Sequence, residues 1–529
     1  MIPVIVLLVY LAVITVIGGL AFRRGSSNTE DFFLANRSVG EMVFFLSLFA
    51  TNMTAFAILG SSGQAYRQGI GIYGLMASSS GLVIPLTIFF IGTRLWALGK
   101  KFGHQTQVAF FRDRWECDTI GTIIFALSAA MLVPYMIISI MGGGTVLAHL
   151  SDSRGTASPI IPYWLGCAIV AVVVTLGVFL GGMRGTVWAN ILQTTLFLCF
   201  GLVAVITISY ALPGGFGEYI SKLAGDPKTS YLVTREKMPP QVFWSYTLIP
   251  LSSIMFPHMA IMCFSAQKVT AFKRTVVLYP VAILVLWLPC VFLGVLGFAT
   301  LGKVSDPDGI LMLMLEQYAP VWLAGILGAG IISAVMGSDA HQVLALSTMF
   351  TKDIYQHYGG REKYGEKAAV HFARAFIVVV TLAAYVVALK LKDKQGIFEI
   401  AVRYAFSGFS ALAPVMIAAL FWKRSTKWGA LASTLFTAGC LVAFAILQNT
   451  HQPGDVIWQI GQGNDAVKVL FLNARGDVGF WNGFMTVVPM VIGSALCMII
   501  GSLLTPLPSL NTIEKYFPTS RPAVLPTPP

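Results

Sequence analysis

Charge is what this sequence has least of. Only 11% of its 529 residues are Asp, Glu, Lys or Arg, where soluble domains carry about a quarter. No hydrophilic stretch is long enough to stand as a domain, so function is not expected to reside in a soluble module. Cysteine is sparse and unpatterned. Of the seven, Cys167, Cys199, Cys263, Cys290, Cys440 and Cys497 lie inside apolar runs and Cys117 near a loop. With no C-x-x-C pair, neither a disulfide framework nor a zinc cluster is expected. H-E-x-x-H, the phosphate-binding loop and the dinucleotide glycine fingerprint are also missing. The net charge of +12 is spread without the clustered basic face and interleaved aromatics that nucleic acid requires.

Long apolar runs are what the sequence has instead. Hydrophobic residues make up 56% and the mean hydropathy is +0.76. A helix needs about 20 mostly apolar residues to cross the hydrocarbon core. Thirteen such runs lie near 2–22, 41–60, 70–93, 119–148, 160–180, 186–211, 241–263, 275–301, 319–350, 371–389, 397–421, 428–448 and 479–504. An all-α polytopic membrane protein is expected. The first run is too long for a signal-peptide core and is followed by Arg23 and Arg24, which marks an uncleaved span. Of the 35 Lys and Arg, 22 fall in alternate loops and the C-terminal tail, 12 in the other loops, and Arg403 inside a run. That bias predicts a plasma membrane protein (the inner membrane in a bacterium) with its N-terminus outside and its C-terminus in the cytoplasm.

Two runs are broken in corresponding places. The second reads SLFATNMTAFAILGSSGQAY, interrupted at Thr51, Asn52, Thr54 and Gly60, and the seventh reads LIPLSSIMFPHMAIMCF, with Pro257 and His258 in mid-membrane. Freed backbone groups are tolerated there only beside a cavity or protein partners. Small and hydroxylated residues also serve close helix packing, but interruptions five spans apart point to an inverted-repeat carrier with its site at the midplane. The predicted organisation is an N-terminal helix (1–22), two repeats (41–211 and 241–421), C-terminal helices (428–504) and a disordered Pro-rich tail (505–529). The stretches 212–240 and 449–478 are read as outer loops.

EDFFLANRSVG (30–40), ATNMTAF (50–56), GGMRGTVWANILQ (181–193) and SAVMGSDAHQVLALSTMFTKDIY (333–355), with a weaker echo in APVMIAALFWKRSTKWGALAS (413–433), resemble the sodium/solute symporters. This family includes sodium-coupled sugar, proline, pantothenate and sialic acid carriers. The resemblance covers roughly residues 1–440 in order and implies a leucine-transporter-type core of five plus five helices. It also implies sodium-coupled symport of a small organic solute by alternating access. Solute and lipid are the partners so implied.

Sodium is a hard cation that takes oxygen ligands. The resemblance implies a principal sodium site made from the carbonyls of Ala50 and Met53, the carbonyl of Ala334, and the positions of Gly337 and Ser338. Two departures stand out. Gly337 brings no hydroxyl where the family has one, which leaves room for a water, a carbonyl, help from Asp339, or a different coupling ion. Asp339 reads equally as a carboxylate in a cytoplasmic vestibule paired with Lys or Arg. Asn190 stands where the family usually has Asp, which favours one cation per cycle.

Sugar-carrying members place Gln and Glu where this chain has Ala57 and Met76, so a small carboxylate or an amino acid is favoured over a hexose. Near the expected solute site are Asn52, Thr54, Ser79, His258 and Arg403, walled by Phe56, Met255, Phe256, Tyr404 and Phe406. Arg403 reads either as a solute ligand or as a residue paired with Glu399 one turn away. His258 reads as a solute donor, a proton carrier, or a residue bonded to a neighbouring carbonyl. Arg184 reads as a gate residue or as part of the basic bias. The rival coupling is a proton-driven or facilitative cycle. The rival class is an intramembrane serine protease, from GSSG (60–63) with His258 as base.

Overall fold

The computed structural model describes residues 2–24, 29–151, 159–392, 396–462 and 466–518. Among them, nine helices are long and apolar enough to cross a bilayer. Two further pairs do so as bent spans: Glu41–Asn52 with Phe56–Gln68, at 62°, and Pro240–Met255 with Pro257–Ser265, at 52°. The second and seventh predicted runs are therefore broken where the sequence places the interruptions.

The helix Tyr163–Ala211 has 49 residues, which at 1.5 Å per residue is about 73 Å, over twice the hydrocarbon thickness. It does not run straight. Gly182 has φ 52° and ψ −147°, and a Cβ on Gly185 would lie 3.7 Å from Gly177 O, whereas eight residues of straight helix separate their ends by about 12 Å. The chain folds back there, in GGMRG. A side chain on Gly182 would be strained by the positive φ and would meet Phe32 O at 2.6 Å. The runs predicted at 160–180 and 186–211 are its two legs. The count of thirteen rests on that division and on the 17-residue apolar helix Val487–Leu503; by length and composition alone the spans number nine to eleven.

Val321–Met349 is the axis of the molecule. It is buried over most of its length and packs on Ile2–Arg24, Glu41–Asn52, Asp118–Ser151, Pro257–Ser265 and Tyr163–Ala211. Glycines let the neighbours approach: a Cβ on Gly325 would meet Pro3 Cα at 2.8 Å, and one on Gly330 would meet Phe200 Cβ at 3.0 Å.

Two expectations change. Residues 449–478 are not a plain loop but enter a four-stranded antiparallel meander: β1 Val456–Ile460, β2 Val467–Leu472, β3 Val478–Phe480 and β4 Phe484–Met485. The strands are short and sit between hydrophobic spans, so their alternation is easily lost in the sequence. Nor is the tail disordered from 505: Leu510–Tyr516 is a helix, capped by Ser509. Lys515 Nζ binds both carboxylate oxygens of Asp113 at 2.7 Å, and His104 Nε2 lies 3.1 Å from Tyr516 Oη. These partners are just over 400 residues away, beyond any local pattern. Residues 519–529 lie outside the described residues.

Candidate functional site

The first bend begins where Glu41–Asn52 runs out. Met53 N closes the last helical bond on Phe49 O at 3.0 Å, and the next backbone bond is Ala57 N on Thr54 O at 2.9 Å. The carbonyls of Ala50 to Met53 are thereby released from the ladder. Ser338 on Val321–Met349 faces them: its hydroxyl donates to Thr51 O at 2.9 Å and accepts from Gln342 Nε2 at 2.7 Å. Ala50, Met53, Ala334 and Ser338 are all buried. The structure thus brings the bend and the ninth predicted run together where the resemblance expects the ion.

Gly337 makes room there. A Cβ on it would stand 3.0 Å from Gln193 Oε1, 3.1 Å from Asn190 Oδ1 and 3.6 Å from Ala50 Cβ. Two amide oxygens therefore occupy the neighbourhood of the missing hydroxyl, and Asn190 Oδ1 is buried with no donor. The donor set is oxygen-rich, neutral and partly unsatisfied, which fits a hard monovalent cation. His341 Nδ1 lies 3.0 Å from Asn190 Nδ2 and 3.2 Å from Gly337 O. One ring nitrogen cannot accept from the first and donate to the second, so the imidazole tautomer selects between them.

Gly337 with His341 and Ser338 with Gln342 are i,i+4 pairs on one face, and Asp339 is turned about 100° from Ser338. Asp339 is buried, and neither of its oxygens has a partner among the described residues. No Lys or Arg pairs with it among the described residues, so the reading of a carboxylate paired in a vestibule is not met. Arg184 does find an acid: Nη2 donates to Asp31 Oδ1 at 2.6 Å, across the Gly182 reversal.

A cavity of about 30 Å³ lies beside the bend, with Asn52, Phe56, Phe256 and Phe406 among its walls. Ala57 also lines it, so the position where a sugar carrier has its polar side chain does face the cavity. Asn52 Nδ2 donates to Tyr279 Oη at 2.7 Å, and Thr54 Oγ1 caps Phe56 N at 3.1 Å. In the second bend Pro257 offers no N–H, and Gln107 Nε2 caps the freed Met255 O at 2.9 Å.

Four expected solute residues, Ser79, Arg403, Tyr404 and His258, are placed elsewhere. Ser79 turns its hydroxyl onto Leu75 O of its own helix at 2.9 Å, and Ser80, one position on, lines the cavity. Arg403 is not in the cavity wall and does not pair with Glu399: its Nε donates to Asp477 Oδ1 beside the sheet at 3.0 Å. Tyr404 is absent from the cavity wall and lies against Arg403, whose guanidinium carbon is 5.7 Å from the ring centroid. His258 stands one layer behind the wall, stacked on Phe256 at 5.0 Å, with neither nitrogen bonded to a carbonyl. The serines of GSSG bond their own helix, Ser61 to Ala57 O at 2.7 Å and Ser62 to Leu59 O at 3.0 Å.

Sequence reading missed Ser80, Tyr135, Tyr246, Ser252, Ser253 and Trp287 in the wall. Tyr135 and Trp287 carried a usable signal, a polar-tipped aromatic beside a mid-span proline (Pro134, Pro289), since such rings usually need a polar neighbour when buried.

Two bent spans whose released carbonyls meet hydroxyls and amides beside a small, largely apolar cavity with a few polar groups have the form of a secondary transporter. The family model for the sodium:solute symporter family matches residues 32–437, and the chain belongs to that family. It is 25% identical to the sodium/pantothenate symporter of Escherichia coli (85% of this chain, 91% of the relative). It is 26% identical to the sodium/proline symporter of the same organism (81% and 85%), and 24% identical to the uncharacterized symporter YhjB of Bacillus subtilis (82% and 86%). Among solved structures it superposes on a sodium-coupled sialic acid symporter in a substrate-bound, outward-open state, with a TM-score of 0.72 at 16% identity, covering 96% of this chain and 99% of that one. The fold is therefore shared.

Proposed function

We propose that this symporter carries a small carboxylate or an amino acid together with one sodium ion, with the N-terminus outside and the C-terminus in the cytoplasm of a plasma membrane. The observation that carries the ion assignment is the meeting of the released carbonyls of Ala50 to Met53 with Ser338 and the donor-free Asn190 Oδ1. Sodium entering there neutralises the freed carbonyl dipoles and fixes the bend. The wall next to it, with Asn52, is thereby set for the solute. The small cavity presents hydroxyl, amide and indole groups and no carboxylate, a lining that admits an anion and lacks the acid a sugar carrier uses. Bending spans then rock against the Val321–Met349 axis and expose both ligands to the other side.

A proton-coupled cycle is the second reading, favoured by the buried, unpaired Asp339. Thermal stability of the purified protein with small carboxylates, amino acids and sugars, each in sodium and in choline chloride, separates them. A ligand of the native state raises its stability by mass action. The expected outcome is a carboxylate or amino acid that stabilises only with sodium; equal stabilisation in both salts overturns sodium coupling.

A further inference from the structure

The cavity beneath the sheet is much larger than the central one, about 350 Å³, and Tyr246 lines both. Phe398, on the wall of the larger, stacks on Phe56, on the wall of the smaller, at 5.0 Å. The two cavities therefore lie on one path, parted by Tyr246 and this ring pair.

The β2–β3 turn roofs the larger cavity. Asn473 Oδ1 accepts from the N–H of Arg475 at 2.8 Å and of Asp477 at 2.9 Å, which holds both side chains over the opening. Each reaches a helix below. Asp477 takes two donors of Arg403 on one oxygen, and Arg475 Nη1 lies 3.9 Å from Glu399 Oε1. Lys237, Arg403 and Arg475 line the space against Glu399 and Asp477, an excess of one positive charge.

We propose that the sheet is a lid on the access path and that the cavity beneath it is an antechamber for carboxylates, in which the arriving solute displaces Asp477 from Arg403. This rests on the carboxylate reading of the transported solute. The exchange trades one charge-assisted pair for another of the same chemistry, so the guanidinium is never left unpaired. Asp477 keeps its own support, because Asn473 Nδ2 donates to its other oxygen at 3.3 Å. A neutral solute has nothing to exchange and leaves the latch shut. Selection by charge thus happens before the central site is reached.

Val402 lines the antechamber and is 7% exposed. The test is the labelling rate of Val402→Cys by a membrane-impermeant maleimide from the sheet side of reconstituted vesicles, with the unsubstituted protein subtracted. Pyruvate is the probe and its neutral amide the control. Asp477→Asn is expected to speed labelling about tenfold, the effect of losing one charged hydrogen bond. Pyruvate is expected to speed it in the latched protein, and the amide is not. Arg403→Gln labels fast without responding to pyruvate, and Arg403→Lys, which keeps the charge, retains the response. Unchanged labelling in Asp477→Asn, or equal acceleration by pyruvate and its amide, overturns the lid. Sodium-dependent uptake of pyruvate, lactate and acetate is measured in parallel. Uptake without a labelling response removes the antechamber alone; a labelling response without uptake keeps the antechamber and removes carboxylate transport.

Discussion

Ser338 is the residue on which the proposed ion site turns, because its single hydroxyl donates to the bend and accepts from Gln342. In Ser338→Ala the half-saturating sodium concentration for uptake is expected to rise at least about tenfold, the worth of one buried polar partner, with the order of solute preference unchanged. A sodium titration of uptake checks it, and an unaltered titration removes the site. Its candidacy was legible in the sequence; what stands beside Gly337 was not, since Asn190 and Gln193 reach that space from another helix. Asp308 offers a test by pH. Burial pushes its carboxyl up to about 7, against the pull of Arg67 and of the Ile397 N–H, and Arg67 Nη1 stands 3.6 Å away. The unfolded carboxyl titrates near ~4, so the folded protein holds a proton that the unfolded chain releases. This group's share of stability is whole below about pH 4 and is lost as pH rises through about 7. Thermal midpoints from pH 4 to 8 are expected to fall less steeply in Asp308→Asn than in the parent; parallel slopes would contradict the assignment.

Elements were legible where the physics is local. A proline or a cluster of hydroxyls in mid-membrane frees carbonyls whatever surrounds it, so both bent spans were marked by Thr51 to Thr54 and by Pro257. The reversal at Gly182 belongs to the same class, and Gly182→Ala is expected to destabilise the fold by ~1–2 kcal/mol through its positive φ alone, with more from the contact on Phe32. Thermal denaturation reads it, and a neutral result would mean that the two legs tolerate another turn. Leu510–Tyr516 was invisible because its partners His104, Asp113 and Glu116 lie on and around the distant helix Gln107–Trp115. At Asp113 burial acts to raise the carboxyl, but the donors Lys515 and Tyr516 outweigh it and hold it below the usual range. Its contribution therefore stands above the unfolded carboxylate value and disappears as pH falls through its own lower one. Ending the chain before Leu510 is expected to cost on the order of 1 kcal/mol, since the ion pairs are partly exposed, and to expose the segment from Gly103 to Thr106 to protease.

At the scale of the molecule, the proposed cycle couples sodium and solute because both act on one bend, and coupling is reciprocal. Whatever factor sodium applies to solute affinity, solute must apply to sodium affinity, by an amount typically about 5- to 150-fold. Paired titrations, solute at low and high sodium and sodium with and without solute, are expected to return the same factor; unequal factors would place the two ligands in different states. The sequence by itself determined the membrane class, the broken spans, the family motifs and the candidate positions on the two segments that meet at Ser338 and Thr51. Those follow from hydropathy, from backbone groups that a bilayer leaves unsatisfied, and from patterns carried within single segments. Only the tertiary structure decided that Arg403 answers Asp477, that Ser80 and not Ser79 faces the cavity, that Asn190 and Gln193 stand beside Gly337, and that a sheet lies over the larger cavity. Each of these depends on which distant segment is packed alongside, and a buried charge or amide takes the partner that packing brings within reach.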